Sequence, residues 1–350
     1  MYALHDVALY LIKDGINKVN KPIIKMLVLS IFGGFIVGLS ACLASICGNY
    51  YVEGYSQFYK GVVFPIGIII VYFAGGELIT GNFLLSTGFF ANKISVLELL
   101  LSWLIVLIGN FIGSILISLL IAYSHIPNQF NVVLAQIIIV NGNKICGKNF
   151  GEAFIQGMLA NFFNCLGIWV SLAGKEMRSV ILGLFIPNFL IMALELDHCV
   201  ADMYYILVGL FTSYEYGLDT TDMGWGKLFY KNIIPVFLGS LVGGGLLVGV
   251  IYWYVFINKD DSGYGRDKNA KSQTNLNNSL QKILDEKKEG FTCEEIFNIM
   301  SQLNNTFKIM NENKIIHRDI KLDNIVVKYI EEKKDSNINF IVKLTDYGIR

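Results

Sequence analysis

The sequence predicts an all-α membrane protein with six spanning helices. Three observations predict it: long stretches without charge, small residues repeated at helical spacing, and ionisable groups set inside two overlong apolar segments. Of the 350 residues, 54% are hydrophobic and only 16% are charged, where soluble domains carry about a quarter. No Asp, Glu, Lys or Arg occurs from Met26 to Val52, nor from Leu99 to Asn143. About 20 apolar residues cross a bilayer core, so the first stretch fits one helix. The second fits a helix plus a re-entering or looping piece. The formal net charge is zero, which gives no case for nucleic-acid binding. Cys42, Cys47, Cys165 and Cys199 lie in apolar surroundings without CxxC spacing and read as buried thiols. No cofactor is expected. The N-terminal MYALHDVALYLIKDG lacks the order of a cleavable signal, so the first apolar helix is expected to direct insertion.

In chain order the spans are Lys25–Gly48, Gly61–Phe90, Leu97–Ser124, Glu152–Ala173, Arg178–Thr212 and Asn232–Ile257. The first, third and sixth carry small-xxx-small pairs (Gly34/Gly38, Gly109/Gly113, Gly239/Gly243), which let helix backbones approach closely. Lys13, Lys18, Lys21, Lys25, Lys93, Lys175, Arg178 and Lys259 all flank the spans on one side. By the positive-inside rule both termini are expected to be cytoplasmic. The other side mixes Glu53, Glu215, Asp219 and Asp222 with Lys60, Lys144, Lys148, Lys227 and Lys231, so the bias is modest and the even span number is the firmer half of the argument.

Spans two and five are too long for one crossing, and each has charge at its middle. The second contains Gly75-Gly76-Glu77; the fifth contains Glu195, Asp197, His198 and Asp202. Ionisable groups at membrane depth are functional candidates by default. Two broken helices in matching positions of two three-helix halves point to an inverted-repeat transporter of aquaporin-like layout.

These stretches carry a resemblance. GGELITGN at 75–82, GMLANFFNCLGIWVSLAGK at 157–175 and LDHCVADM at 196–203 resemble, in order and spacing, the signatures of the formate/nitrite transporter family, over about residues 13–257. The resemblance implies a homopentamer in the plasma membrane, one pore per subunit, that passes small monocarboxylate anions such as formate, nitrite or lactate with a proton. It implies roles for particular residues. Phe64, Ile68 and Leu78 match one apolar constriction, and Ile79 and Ile191 the other. Thr80 and His198 match the polar pair between them, and Asn161 a helix-four asparagine near that histidine. Lys18 matches a basic residue of one vestibule. For the opposite vestibule Lys144 sits one residue off the family spacing, and Lys148 is its rival. Glu77, Glu195 and Asp197 are expected to anchor the broken helices, the first two through backbone N–H groups. Asp197 replaces the usual glutamate, Asp202 the usual asparagine, and Ser240 an asparagine of the sixth helix.

Physically, mouth lysines would concentrate anions. A dry constriction would favour the neutral acid over the bare carboxylate. His198 would either hand over the proton or hold Thr80.

Beyond Ile257 a polar linker (258–285) leads to a small mixed α/β segment, 286–350. Its HRDIKLDN at 317–324 and DYG at 346–348 resemble the catalytic loop and metal-binding motif of protein kinases, with Asp319 as base, Lys321 beside it, and Asn324 and Asp346 as Mg²⁺ ligands. No Gly-rich loop with a Val-Ala-x-Lys strand precedes them, and the sequence ends two residues after DYG. The tail is therefore expected to be a fragment without phosphotransfer activity, either a regulatory remnant or a product of joining two genes. The alternatives for the whole chain are a membrane-tethered kinase and a neutral-solute channel. The absence of paired Asn-Pro-Ala loops argues against the second.

Overall fold

The structure, a computed structural model, describes residues 1–49, 55–128, 133–221, 223–257, 292–312, 325–329 and 340–344. The chain divides into two compact units, Met1–Asp260 and Asp261–Arg350.

The first unit opens with α1, Leu4–Val19, an amphipathic helix whose Val7, Ala8, Leu11 and Ile12 are buried while Leu9 and Tyr10 are exposed. Pro22 then precedes α2, Ile23–Asn49. The helix α3, Ser56–Ala74, ends on Gly75 in the left-handed region (φ +75°), where a residue without Cβ is unstrained. Residues 76–78 are non-helical, and helical structure resumes as α4 (Ile79–Asn82), a 3₁₀ turn (Phe83–Leu85) and α5 (Ser86–Phe90). A Ser95/Glu98 capping box starts α6, Val96–Tyr123. The helices α7 (Val133–Cys146) and α8 (Phe150–Ala173) follow, the latter capped by the Asn149 side chain. Next come α9 (Met177–Ala193), a non-helical stretch, and α10 (Cys199–Tyr216). The last helix, α11, runs Trp225–Phe256 and contains π-helical segments at Leu228–Ile233 and Leu241–Val250.

Among the described residues, α2, α3, α6, α8 and α11 are long and apolar enough to cross a membrane; α7 and α9 are shorter apolar helices. The expected fifth span, 178–212, is occupied by α9 and α10. Two helices of this unit fall outside the six expected spans. One is α1, whose apolar stripe covers only one face. The other is α7, which occupies the expected re-entering or looping piece of the second uncharged stretch.

Close packing follows the glycines. A Cβ on Gly34 would collide with the Asn110 backbone, and one on Gly113 with the Ile31 carbonyl, so α2 and α6 touch backbone to backbone. Gly239 and Gly243 do the same for α11 against Phe154 and Met158 of α8. The outward face of α6 (Leu97, Leu100, Leu104, Ile108) is exposed and wholly apolar, as a lipid- or subunit-facing stripe requires.

Fully buried Asn110 ties the interruption after α3 to both of its neighbours. Its Oδ1 accepts from Ile79 N–H at 2.9 Å. Its Nδ2 donates to the Ser30 and Glu77 carbonyls at 2.8 and 2.9 Å.

In the second unit, α12 (Cys293–Glu312) packs on an antiparallel hairpin of β1 (Ile325–Tyr329) and β2 (Phe340–Leu344), paired Ile325 to Leu344. Ile299, Leu303, Met310, Ile325 and Val342 form its small core, and Gln302 Oε1 accepts from Val342 N–H at 2.9 Å. Asp319, Lys321, Asn324 and Asp346 lie outside the described residues.

Removing Asn110 strands three backbone groups in a dry interior, at about 1–3 kcal/mol each before relaxation. Asn110→Ala is therefore expected to lower stability by about 2–4 kcal/mol in reversible detergent denaturation. A loss within the roughly 0.5 kcal/mol of a surface change would contradict the stapling role.

Candidate functional site

The two interruptions share one local design. The chain leaves α3 through Gly75 at φ +75° and leaves α9 through Glu195 at φ +53°. Gly76 N–H donates back to Val71 O at 2.9 Å, and Leu196 N–H donates back to Ile191 O at 3.0 Å. Two residues later an extended residue caps the next helix: Leu78 (φ −122°, ψ 135°) before α4 and His198 (φ −113°, ψ 113°) before α10. In this register Glu77 corresponds to Asp197, and Asn82 to Asp202. α3 packs on α9 and α4 on α10, so the interruptions face each other.

Each acid is clamped by lysine. Glu77, 4% exposed, takes Lys21 Nζ at 2.6 Å and Lys18 Nζ at 3.3 Å. Lys18 also donates to Asn82 Oδ1 at 2.9 Å. Burial opposes the Lys18 ammonium, but the Glu77 and Asp14 carboxylates outweigh it, so its pKa lies above the ordinary lysine value. Asp197 takes Lys148 Nζ at 2.5 Å, and Lys148 also donates to Gln156. Glu195 Oε2 takes Lys144 at 2.6 Å, and its Oε1 accepts from Gln57 Nε2 at 2.8 Å. These carboxylates thus bind side-chain partners. The backbone N–H bonds expected of Glu77 and Glu195 are not among their contacts.

Two cavities flank the interruptions. One, of about 400 Å³, is lined by Lys18, Lys21, Glu77, Ile68, Leu78 and Thr80 among others. The other, of about 80 Å³, is lined by Lys60, Lys144, Lys148, Glu195, Asp197 and Asp202 among others. Phe64, Ile79, Ile191 and His198 line neither and are buried. The Phe64 ring meets the His198 imidazole edge-on, centroids 5.6 Å apart.

His198 Nδ1 accepts from Ala201 N–H at 3.3 Å, capping α10. That acceptor role puts the proton of a neutral imidazole on Nε2. The buried His198 Nε2 and Thr80 Oγ1 both lack a hydrogen-bond partner among the described residues. Buried polar atoms are nearly always paired, so these two, among several such atoms in the described residues, each call for an explanation.

Asn161 is buried on α8. It donates to the Ser240 carbonyl at 2.8 Å and lines neither cavity; Asn164, one turn on, lines the first. Asp202 accepts from Asn232 at 3.0 Å. Sequence reasoning singled out neither Lys21 nor Asn82. Their only signal there is position: Lys21 precedes the first span on the side where Lys18 lies, and Asn82 stands at the register position of Asp202.

Apolar crossing helices wrapped around lysine-mouthed cavities define an integral membrane protein of the transporter class. The sequence profile of the formate/nitrite transporter family matches residues 5–254, and the chain belongs to that family. It is 32% identical to the uncharacterized transporter YrhG of Bacillus subtilis over 261 residues, 73% of this chain and 94% of the relative. It is 29% identical to the formate channel FocA of Haemophilus influenzae over 213 residues, 58% of this chain and 75% of the relative. Its fold is similar to that of a pentameric formate channel with formate bound (TM-score 0.60, 23% identity, 67% of this chain and 98% of that one). A second solved structure, an FNT family ion channel, is similar over 71% of this chain and 98% of its own (TM-score 0.62, 23% identity). A profile described as a protein kinase domain matches residues 271–350.

The two kinds of ion pair should differ in strength. A double-mutant cycle on Glu77 and Lys21 is expected to give a coupling of about 1–3 kcal/mol, because Glu77 is buried. The cycle on Glu195 and Lys144, with side chains 37% and 59% exposed, should give less than about 1 kcal/mol. Equal couplings in detergent denaturation would contradict the clamp.

Proposed function

We propose that the chain passes small monocarboxylate or monovalent anions, such as formate, nitrite and lactate, together with a proton. The pore we infer crosses the membrane with six spans and has two apolar constrictions around His198: Phe64, Ile68 and Leu78 on one side, Ile79 and Ile191 on the other. The observation that carries this reading is that Thr80 Oγ1 on α4 and His198 Nε2 at the cap of α10, two elements that pack together, are both buried without a hydrogen-bond partner among the described residues, beside lysine-bearing cavities.

The chemistry follows from charge and burial. Ammonium charge in excess of the carboxylates it pairs with raises the local anion concentration at the mouths. The N-terminal end of α10, an 18-residue helix, begins at His198 and adds a positive dipole end. A bare carboxylate in a dry constriction is strongly disfavoured, so the anion takes up a proton and crosses as the neutral acid. His198 either relays that proton, in which case Nδ1 must release Ala201 N–H and take a proton from water as Nε2 gives up its own, or donates Nε2–H to Thr80 and holds it in place. On the far side the acid returns its proton to water, so one anion and one proton move together.

The wider reading is a homopentamer in the plasma membrane with both termini cytoplasmic. The exposed apolar stripe of α6 supports cover by lipid or by neighbouring subunits, and the structural relative named above is described as pentameric. A second reading, a membrane-tethered kinase-related protein, has the profile match over residues 271–350 in its favour. Nucleotide binding by the full-length protein tests it. We assign no phosphotransfer, because no Gly-rich loop with a Val-Ala-x-Lys strand precedes HRDIKLDN.

Purified protein in liposomes with an alkaline interior is expected to take up labelled formate faster than empty vesicles, and to slow when the pH gradient is dissipated. Thr80→Val and His198→Ala should each cut the flux roughly tenfold, the worth of one buried hydrogen bond near the rate-limiting barrier. Uptake no greater than in empty vesicles refutes the proposal.

A further inference from the structure

We propose that Lys60 is the cation that receives the anion at the second cavity, a role that rests on the transport reading above. The lysines lining the two cavities are Lys18, Lys21, Lys60, Lys144 and Lys148. Four of them are committed to carboxylates: Lys18 and Lys21 to Glu77, Lys144 to Glu195 and Lys148 to Asp197. An ammonium already paired with a carboxylate offers an incoming anion little net charge. Lys60 makes no ion pair or hydrogen bond among the described residues.

The acids that line the cavity with Lys60 hydrogen-bond other groups. Glu195 has one oxygen on Lys144 and the other on Gln57, although its charge still acts on Lys60. Asp197 holds Lys148 through one oxygen, and Asp202 accepts from Asn232. Lys60 is therefore the cation of this cavity left over among the described residues.

Its position suits the role. Lys60 stands on α3 one helical turn before Phe64, and i, i+4 residues share a helix face. Phe64 in turn packs on His198, so Lys60 stands about 6 Å along the helix from the buried stretch. The half-buried Lys60 runs its aliphatic stem over Gly48 of α2: a Cβ at Gly48 would lie 2.7 Å from Lys60 Cε and 2.8 Å from Cγ. Glycine at 48 thus leaves the groove that positions the ammonium. A cavity of about 80 Å³ has room for about two or three waters, or one anion of a few heavy atoms.

Two measurements on full-length protein test this. In liposomes, Lys60→Gln is expected to raise the formate concentration for half-maximal uptake about tenfold, with the maximal flux within about twofold of wild type, as loss of one cation–anion contact implies. Lys60→Arg should restore it. Gly48→Ala should shift it in the same direction without altering any charge, since the lysine stem is flexible enough to move aside. In detergent, formate should protect Lys60 from acylation by a small amine reagent, read by mass spectrometry. Normal formate flux with an unshifted Lys60→Gln and an unprotected Lys60 overturns the assignment, as does a larger shift in Lys144→Gln. Protection of Lys60 without any wild-type flux sustains the site and overturns the transport reading instead. Neither flux nor protection overturns both.

Discussion

Backbone hydrogen bonding inside an apolar environment governs this molecule. An interruption of a helix at membrane depth leaves N–H and C=O groups that water cannot satisfy, each at a cost of several kcal/mol. The chain has two non-helical stretches between buried helices, at 75–78 and 194–198, and pairs their backbone groups by nearby means. A left-handed residue turns the chain, a backward N–H bond closes the finished helix, and an extended residue caps the next one. Asn110 serves both sides of the first interruption with one side chain. Each interruption also carries an acid paired with a lysine from another element.

The two interruptions share a frame and differ in chemistry. Leu78 and His198 occupy the same capping position, yet only the histidine brings a side-chain acceptor and a spare nitrogen. Asn82 and Asp202 also correspond, one held by Lys18 and the other by Asn232. Backbone contact at Gly34, Gly113, Gly239 and Gly243 brings α2 against α6 and α8 against α11.

Membrane class and family were legible in the sequence because both are written in local patterns: uncharged stretches and short signatures around Glu77, Asn161 and His198. Partnerships were not. Nothing local ties Lys21 to Glu77, 56 residues away, or Lys148 to Asp197, 49 residues away. The role of Asn110 was hidden for the same reason, since an asparagine within a long apolar helix reads equally as a packing residue. Asn161 illustrates the reverse case: a family position was visible, but its hydrogen bond goes to Ser240 on α11, where an asparagine is usual in the family. The amphipathic α1 carries too little apolar surface to read as a span, though its Lys18 completes the first cavity.

The central claim is that the segment carrying Thr80 and the segment carrying His198 meet beside one narrow, water-accessible passage. Cysteine placed at position 80 tests it directly, with wild-type protein as the control for the native thiols. Membrane-impermeant methanethiosulfonate applied to Thr80→Cys in liposomes should block formate flux, and formate should slow the reaction. Unchanged flux despite complete labelling at position 80, or reaction only with lipid-soluble reagents, would contradict the claim.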